Sequence, residues 1–162
     1  MNKIMSLPNG LYYTKISGVG VASLDQAAEN FFGVAPQCEH RQDIPSGCVV
    51  LLRNPIDRYA ALASALQLTD DELIAGILGN DLRYCVTLAT YERHGVLPDM
   101  NLYRRESIDD AAAFLGIYPA PLIGFAYDSA TLSGAAEESL RTILSFDISL
   151  WDSLVARGGL RQ

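Results

Sequence analysis

The chain is poor in lysine, in cysteine and in long apolar runs. Three cysteines, Cys38, Cys48 and Cys85, are an odd number with no CxxC spacing. That disfavours both a disulfide framework and a four-cysteine zinc site, and points to a reducing compartment. The two histidines, His40 and His94, lie far from one another and show no ligand spacing with the cysteines, so no metal is expected. No apolar run reaches the roughly 18–20 residues that a membrane helix needs. The segment from Met1 to Met5 lacks the apolar stretch and small-residue cleavage site of a secretory signal. The expectation is a cytoplasmic protein with no membrane partner. A net charge of −7 speaks against a nucleic-acid partner, which calls for a basic face. An anionic small molecule stays open, because a few cations focused in one cleft override the global sign. Those cations are unevenly typed: only Lys3 and Lys15 are lysines, and the other ten are arginines.

What the chain does have is apolar residues, 49% of 162, with 19% charged. This is the composition of a chain that builds a core, and without repeats or linkers it reads as one domain over residues 1–162. Residues 9–16 leave a turn at Pro8, Asn9 and Gly10 and read as a strand. Ser17-Gly18-Val19-Gly20 interrupts it, and Val21 to Phe32 has helical periodicity with Gly33 as its stop. A polar stretch from Pro36 to Gly47 follows. Cys48 to Leu52 is continuously apolar, the pattern of a strand buried on both faces in a parallel sheet. Pro55 opens a helix, and Thr69 to Glu72 has capping-box spacing for another. Further helices are expected at 81–93, 109–115 and 135–154, with a short strand near 100–103 and a final strand or apolar loop at 122–127. Strand, glycine loop, helix, buried strand and helix in this order predict an α/β fold, a parallel sheet flanked by helices.

Two segments could carry chemistry. The first runs from Lys15 to Ser23, between a strand and a helix. Glycines let backbone N–H groups face an anion at a helix N-terminus. Lys15 would neutralise it, and Ser17 or Ser23 would donate hydrogen bonds. Neither GxxxxGK[ST] nor GxGxxG is present, and the plainer reading is a tight turn with an exposed lysine. The second is Arg53-Asn54-Pro55 with Arg58, beyond the carboxyl end of the buried strand, where open α/β sheets bind ligands. Two guanidiniums in one corner suit a phosphate; the plainer reading is a surface ion pair of either arginine with Asp57.

Taken together, the two segments resemble the sulfotransferase family, in a short and divergent form. Lys15, Gly18, Gly20 and Ser23 are similar to that family's first cofactor loop. Val49 to Pro55 with Arg58 is similar to its second motif. Weaker likenesses run from Tyr103 to Ile117 and from Ser139 to Trp151. The resemblance implies a truncated P-loop-like sulfotransferase architecture that binds 3′-phosphoadenosine 5′-phosphosulfate (PAPS) and transfers its sulfuryl group to a hydroxyl or amine acceptor. Lys15, Ser17, Gly18, Gly20 and Ser23 would hold the 5′-phosphosulfate, and Arg53 and Arg58 the 3′-phosphate. Ala61 stands where the family has a serine, so Ser64, one turn on, becomes the candidate for that hydrogen bond. The catalytic base is expected between the two motifs, at His40 or Glu39, imidazole being the side chain that titrates nearest neutrality. Lys15 would assist the leaving group. A different class of function is a fold without turnover, serving as an interaction or assembly module through 122–125 or 146–151, as an oligomer or with a partner. A nucleotide kinase is disfavoured by the missing GK[ST].

Overall fold

A computed structural model describes residues 2–16, 21–79, 100–119 and 131–156. In chain order these form β1 (Asn2–Ser6), β2 (Tyr12–Thr14), α1 (Val21–Phe32), β3 (Gln37–Arg41), β4 (Val49–Leu52), α2 (Pro55–Ala65) and α3 (Asp70–Leu78). There follow β5 (Asn101–Arg104), a 3-10 turn (Arg105–Ser107), α4 (Ile108–Phe114), α5 (Gly134–Ile143) and α6 (Ser145–Ala156). The protein is thus α/β. The segments read above as a helix at 81–93 and as a strand or apolar loop at 122–127 lie outside the described residues.

The five strands form one sheet in the order β3-β1-β2-β4-β5. It is mixed, which corrects the expectation of a parallel sheet. β2, β4 and β5 are mutually parallel, while β1 runs antiparallel to both β2 and β3. The parallel half is the half whose apolar run was legible: all four residues of β4 are buried, as a strand covered on both faces requires. The antiparallel half begins with a hairpin. Its turn is closed by Gly10 N donating to Leu7 O at 3.0 Å, and Asn9 Oδ1 accepts from Leu11 N at 3.1 Å. Asn9 Nδ2 also donates to Leu115 O at 2.8 Å, tying the turn to the end of α4. The polar stretch 36–47 contains β3, which pairs with β1 over its whole length. Its residues are exposed or half-buried because it is the edge of the sheet.

Local signals start and stop the helices. Asn54 Oδ1 caps α2 by accepting from Ile56 N and Asp57 N, with Pro55 in the first turn. Thr69 and Glu72 form the reciprocal capping box of α3, each bond 3.2 Å. Gly33 and Gly116 follow α1 and α4 with φ of 75° and 76°, the left-handed conformation that ends a helix. The single helix expected over 135–154 is two helices, α5 and α6, broken at Leu144. Leu144 is buried with Tyr59, Leu62, Leu73, Ile77 and Leu140 in a cluster built by α2, α3 and α5. Trp151 of α6 instead joins the larger cluster around the sheet. Ile148 of α6 still packs against the smaller cluster, so α6 spans the two.

Cys48 enters β4 buried, whereas Cys38 on β3 is exposed. Burial pushes the Cys48 thiol up to about 12, with the charge of Arg41 acting the other way. The fold therefore disfavours the thiolate. The resulting stability is complete below the unfolded thiol's ordinary range and is lost as pH rises toward the folded value. Between pH 8.5 and 10.5 the wild type should lose about 2 kcal/mol more unfolding free energy than Cys48→Ala. Urea unfolding of both at the two pH values measures this; equal losses would contradict it.

Candidate functional site

The parallel pairing sets what the sheet presents at its carboxyl edge. Tyr13 lies beside Val49, and Leu52 beside Arg104. The chain therefore leaves β2 at Lys15, β4 at Arg53 and β5 at Arg105 on one edge. The antiparallel pairing extends this edge. Ile4 faces Thr14, so Lys3 faces Lys15, whose N–H donates to Lys3 O at 2.9 Å. Lys3 in turn faces His40. Lys15, Lys3 and His40 form one row across three strands at roughly 4.8 Å per strand, while the register of Tyr13 with Val49 sets Lys15 level with Leu51, so Arg53 and Arg105 lie about 7 Å further along the strand direction. Side chains alternate between the faces of a strand, so Lys15, Lys3 and His40 share one face. Glu39, level with Ile4 and Thr14, is on the other.

Lys15 is held from above. Its Nζ lies 3.2 Å from Asp25 Oδ2, and Asp25 Oδ1 accepts from the Tyr13 hydroxyl. Since Tyr13 and Lys15 are on the same face, α1 covers that face through Asp25. Tyr13 is 1% exposed. Its hydroxyl is pushed up by burial first, then by the hydrogen bond to Asp25 and that carboxylate's charge. It stays a neutral donor and fixes the carboxylate that fixes Lys15. The Lys15 side chain remains 44% exposed.

Arg53 and Arg58 are both buried. Arg58 stacks over Tyr59 with Cζ 5.0 Å from the ring centroid, and both arginines have partners in the fold. Asp57, by contrast, is exposed. Arg105 is buried beside Arg53, and Asp147 of α6 is a buried acid. Among the described residues, two buried polar atoms lack a hydrogen-bond partner, Thr14 Oγ1 and Arg104 Nε.

The expected site residues divide as follows. Lys15, Arg53 and Arg58 lie at or beside the carboxyl edge, and Ser23 is half-buried in the first turn of α1. Ser17, Gly18 and Gly20 lie outside the described residues. Ser64 does not reach the corner: it is exposed in the last turn of α2, roughly 9 Å further along the axis than Arg58 at 1.5 Å per residue. Of the two expected bases, Glu39 is bound to Arg41 Nε at 2.8 Å on the face opposite Lys15, and His40 shares the face of Lys15. Sequence reasoning missed Lys3, Asp25, Arg104 and Arg105. The arginine pair could have been found by the rule that found Arg53, since it too follows an apolar strand.

Among the described residues no group of three or more His, Cys, Asp or Glu side chains is arranged to hold a metal ion. No helix among them is long and apolar enough to cross a membrane. The fold and site define an α/β protein with a mixed sheet and a cationic carboxyl edge. No protein-family model, curated protein or solved structure matches the chain.

Proposed function

We propose that the protein binds PAPS along the carboxyl edge of β2, β4 and β5 and transfers its sulfuryl group to a hydroxyl or amine acceptor. The observation that supports this reading is the order Arg53, Lys15, His40 across the sheet. It matches the order of groups along the reaction: 3′-phosphate, 5′-phosphosulfate, acceptor. Arg53, with Arg105 beside it, binds the doubly charged 3′-phosphate. Arg58 supports that corner from α2. Lys15 and the loop of Ser17, Gly18 and Gly20, with Ser23, bind the phosphosulfate. The acceptor oxygen forms a bond to sulfur as the bond from sulfur to the bridging oxygen breaks. The electron pair leaves on the 5′-phosphate of the nucleotide product, where Lys15 stabilises it. The acceptor proton goes to the His40 imidazole, because Glu39 is directed away.

A second reading is a binding module without turnover. It is favoured by the Lys15–Asp25 pair, which already neutralises the cation meant for the leaving group. The two are separated by incubating the protein with sulfur-35-labelled PAPS and a mixed acceptor set. Transfer that falls at least tenfold in His40→Ala, with nucleotide binding kept, fits the enzyme. Nucleotide binding with no transfer to any acceptor fits the module.

A further inference from the structure

We propose that Lys3, with His40 beside it, forms an acceptor subsite for a fixed negative charge, so that the acceptor is a hydroxyl compound carrying a carboxylate. This rests on the donor-binding reading above and names the substrate class for it.

The two lysines of this chain are 12 positions apart in sequence, yet the register sets them directly opposite one another, and His40 directly opposite Lys3. The Lys3–Lys15 pair is of the hydrogen-bonded kind, with Cα atoms about 5.5 Å apart. Like charges directly opposite on a sheet face are destabilising. One acid answers the row from the helix above, Asp25, and it is taken by Lys15 and the Tyr13 hydroxyl. The acid nearest Lys3 in the ladder is Glu39, which faces the other way and binds Arg41. Among the described residues neither the Lys3 nor the His40 side chain has a hydrogen-bond or ion-pair partner, and both are exposed. Among the described residues, then, no acid offsets the Lys3 ammonium and the His40 imidazole beside Lys15.

Their place fits the reaction. The donor occupies the span from Arg53 to Lys15, so an acceptor reaches the sulfuryl group from the opposite side, over Lys3 and His40. A carboxylate there offsets the uncompensated ammonium, and its hydroxyl is brought within one strand spacing of both Lys15 and His40. A neutral acceptor leaves the row as it is.

The test uses 4-nitrophenyl β-D-glucuronide and its neutral counterpart 4-nitrophenyl β-D-glucoside, titrated calorimetrically into the full chain saturated with 3′-phosphoadenosine 5′-phosphate. The glucuronide should bind about tenfold more tightly, the effect of one charge-assisted contact. Lys3→Gln should reduce that preference to less than twofold and leave nucleotide affinity within twofold. Lys3 is an exposed side chain, and His40→Gln is the second variant, with a smaller loss expected. Equal binding of the two sugars, binding of neither, or a Lys3→Gln defect confined to the nucleotide would overturn the subsite. Absence of nucleotide binding is a separate outcome. It removes the donor reading, while a Lys3-dependent preference for the glucuronide measured without nucleotide would retain the subsite.

Discussion

Replacing Arg53 with alanine is expected to weaken binding of 3′-phosphoadenosine 5′-phosphate by at least about 30-fold, and binding of adenosine 5′-phosphate by less than threefold. The magnitude is that of a charge-assisted, partly desolvated guanidinium–phosphate contact, about 2–4 kcal/mol. The selectivity follows from position. On the proposed reading Arg53, one strand away from Lys15 and two residues further along the strand direction, meets the nucleotide's second phosphate. Arg53 is buried and has partners in the fold, so Arg53→Lys serves as the control. It keeps the charge and loses the planar fork, and an intermediate affinity is expected. Calorimetry with both nucleotides, together with thermal melts of each variant, measures the effect. Equal losses for the two nucleotides would remove Arg53 from the 3′-phosphate role.

The second large effect concerns the frame that holds this edge. Leu51 is 2% exposed in the middle of β4, between β2 and β5 and packed on both faces. Leu51→Ala removes buried methyl groups and leaves a cavity where neither neighbouring strand can close in, costing about 3 kcal/mol. For a chain of this size that lowers the melting temperature by about 6–12 °C. Phe146, 60% exposed on α6, is the comparison; Phe146→Ala should shift the melting temperature by less than about 2 °C. Similar shifts for the two variants would contradict the placement of β4 at the centre of the core.

The parts of the fold that were legible in sequence are those with a local signature. The unbroken run from Cys48 to Leu52 could only be a strand covered on both faces, and the Asn54–Pro55 and Thr69–Glu72 starts are side-chain chemistry within four residues. Gly33 and Gly116 stop their helices because they adopt a backbone conformation that other residues avoid. What was missed depends on distant partners. Gln37 to Arg41 has no apolar face and becomes a strand because β1 offers it an unpaired edge. The antiparallel β1 then makes the sheet mixed. The break at Leu144 has neither proline nor glycine to announce it, and Leu144 itself is buried in the smaller cluster. The candidate site divides in the same way. Lys15, Arg53 and Arg58 stood out by local pattern. Lys3 and Asp25 became visible only through register and packing, which bring residues 3, 15, 25 and 40 to one face. Ser64 was chosen by counting along the chain, and helix geometry carries it away from the corner.

The most direct test of nucleotide binding at the carboxyl edge is a titration of nitrogen-15-labelled protein with 3′-phosphoadenosine 5′-phosphate, followed by amide chemical shifts. Shift changes are expected at Lys15, Asp25, Arg53, Asn54 and Arg105, saturating in the micromolar range, with β3 and the exposed face of α5 little affected. A folded protein whose spectrum does not respond at millimolar nucleotide, or whose changes cluster away from the ends of β2, β4 and β5, would contradict the assignment.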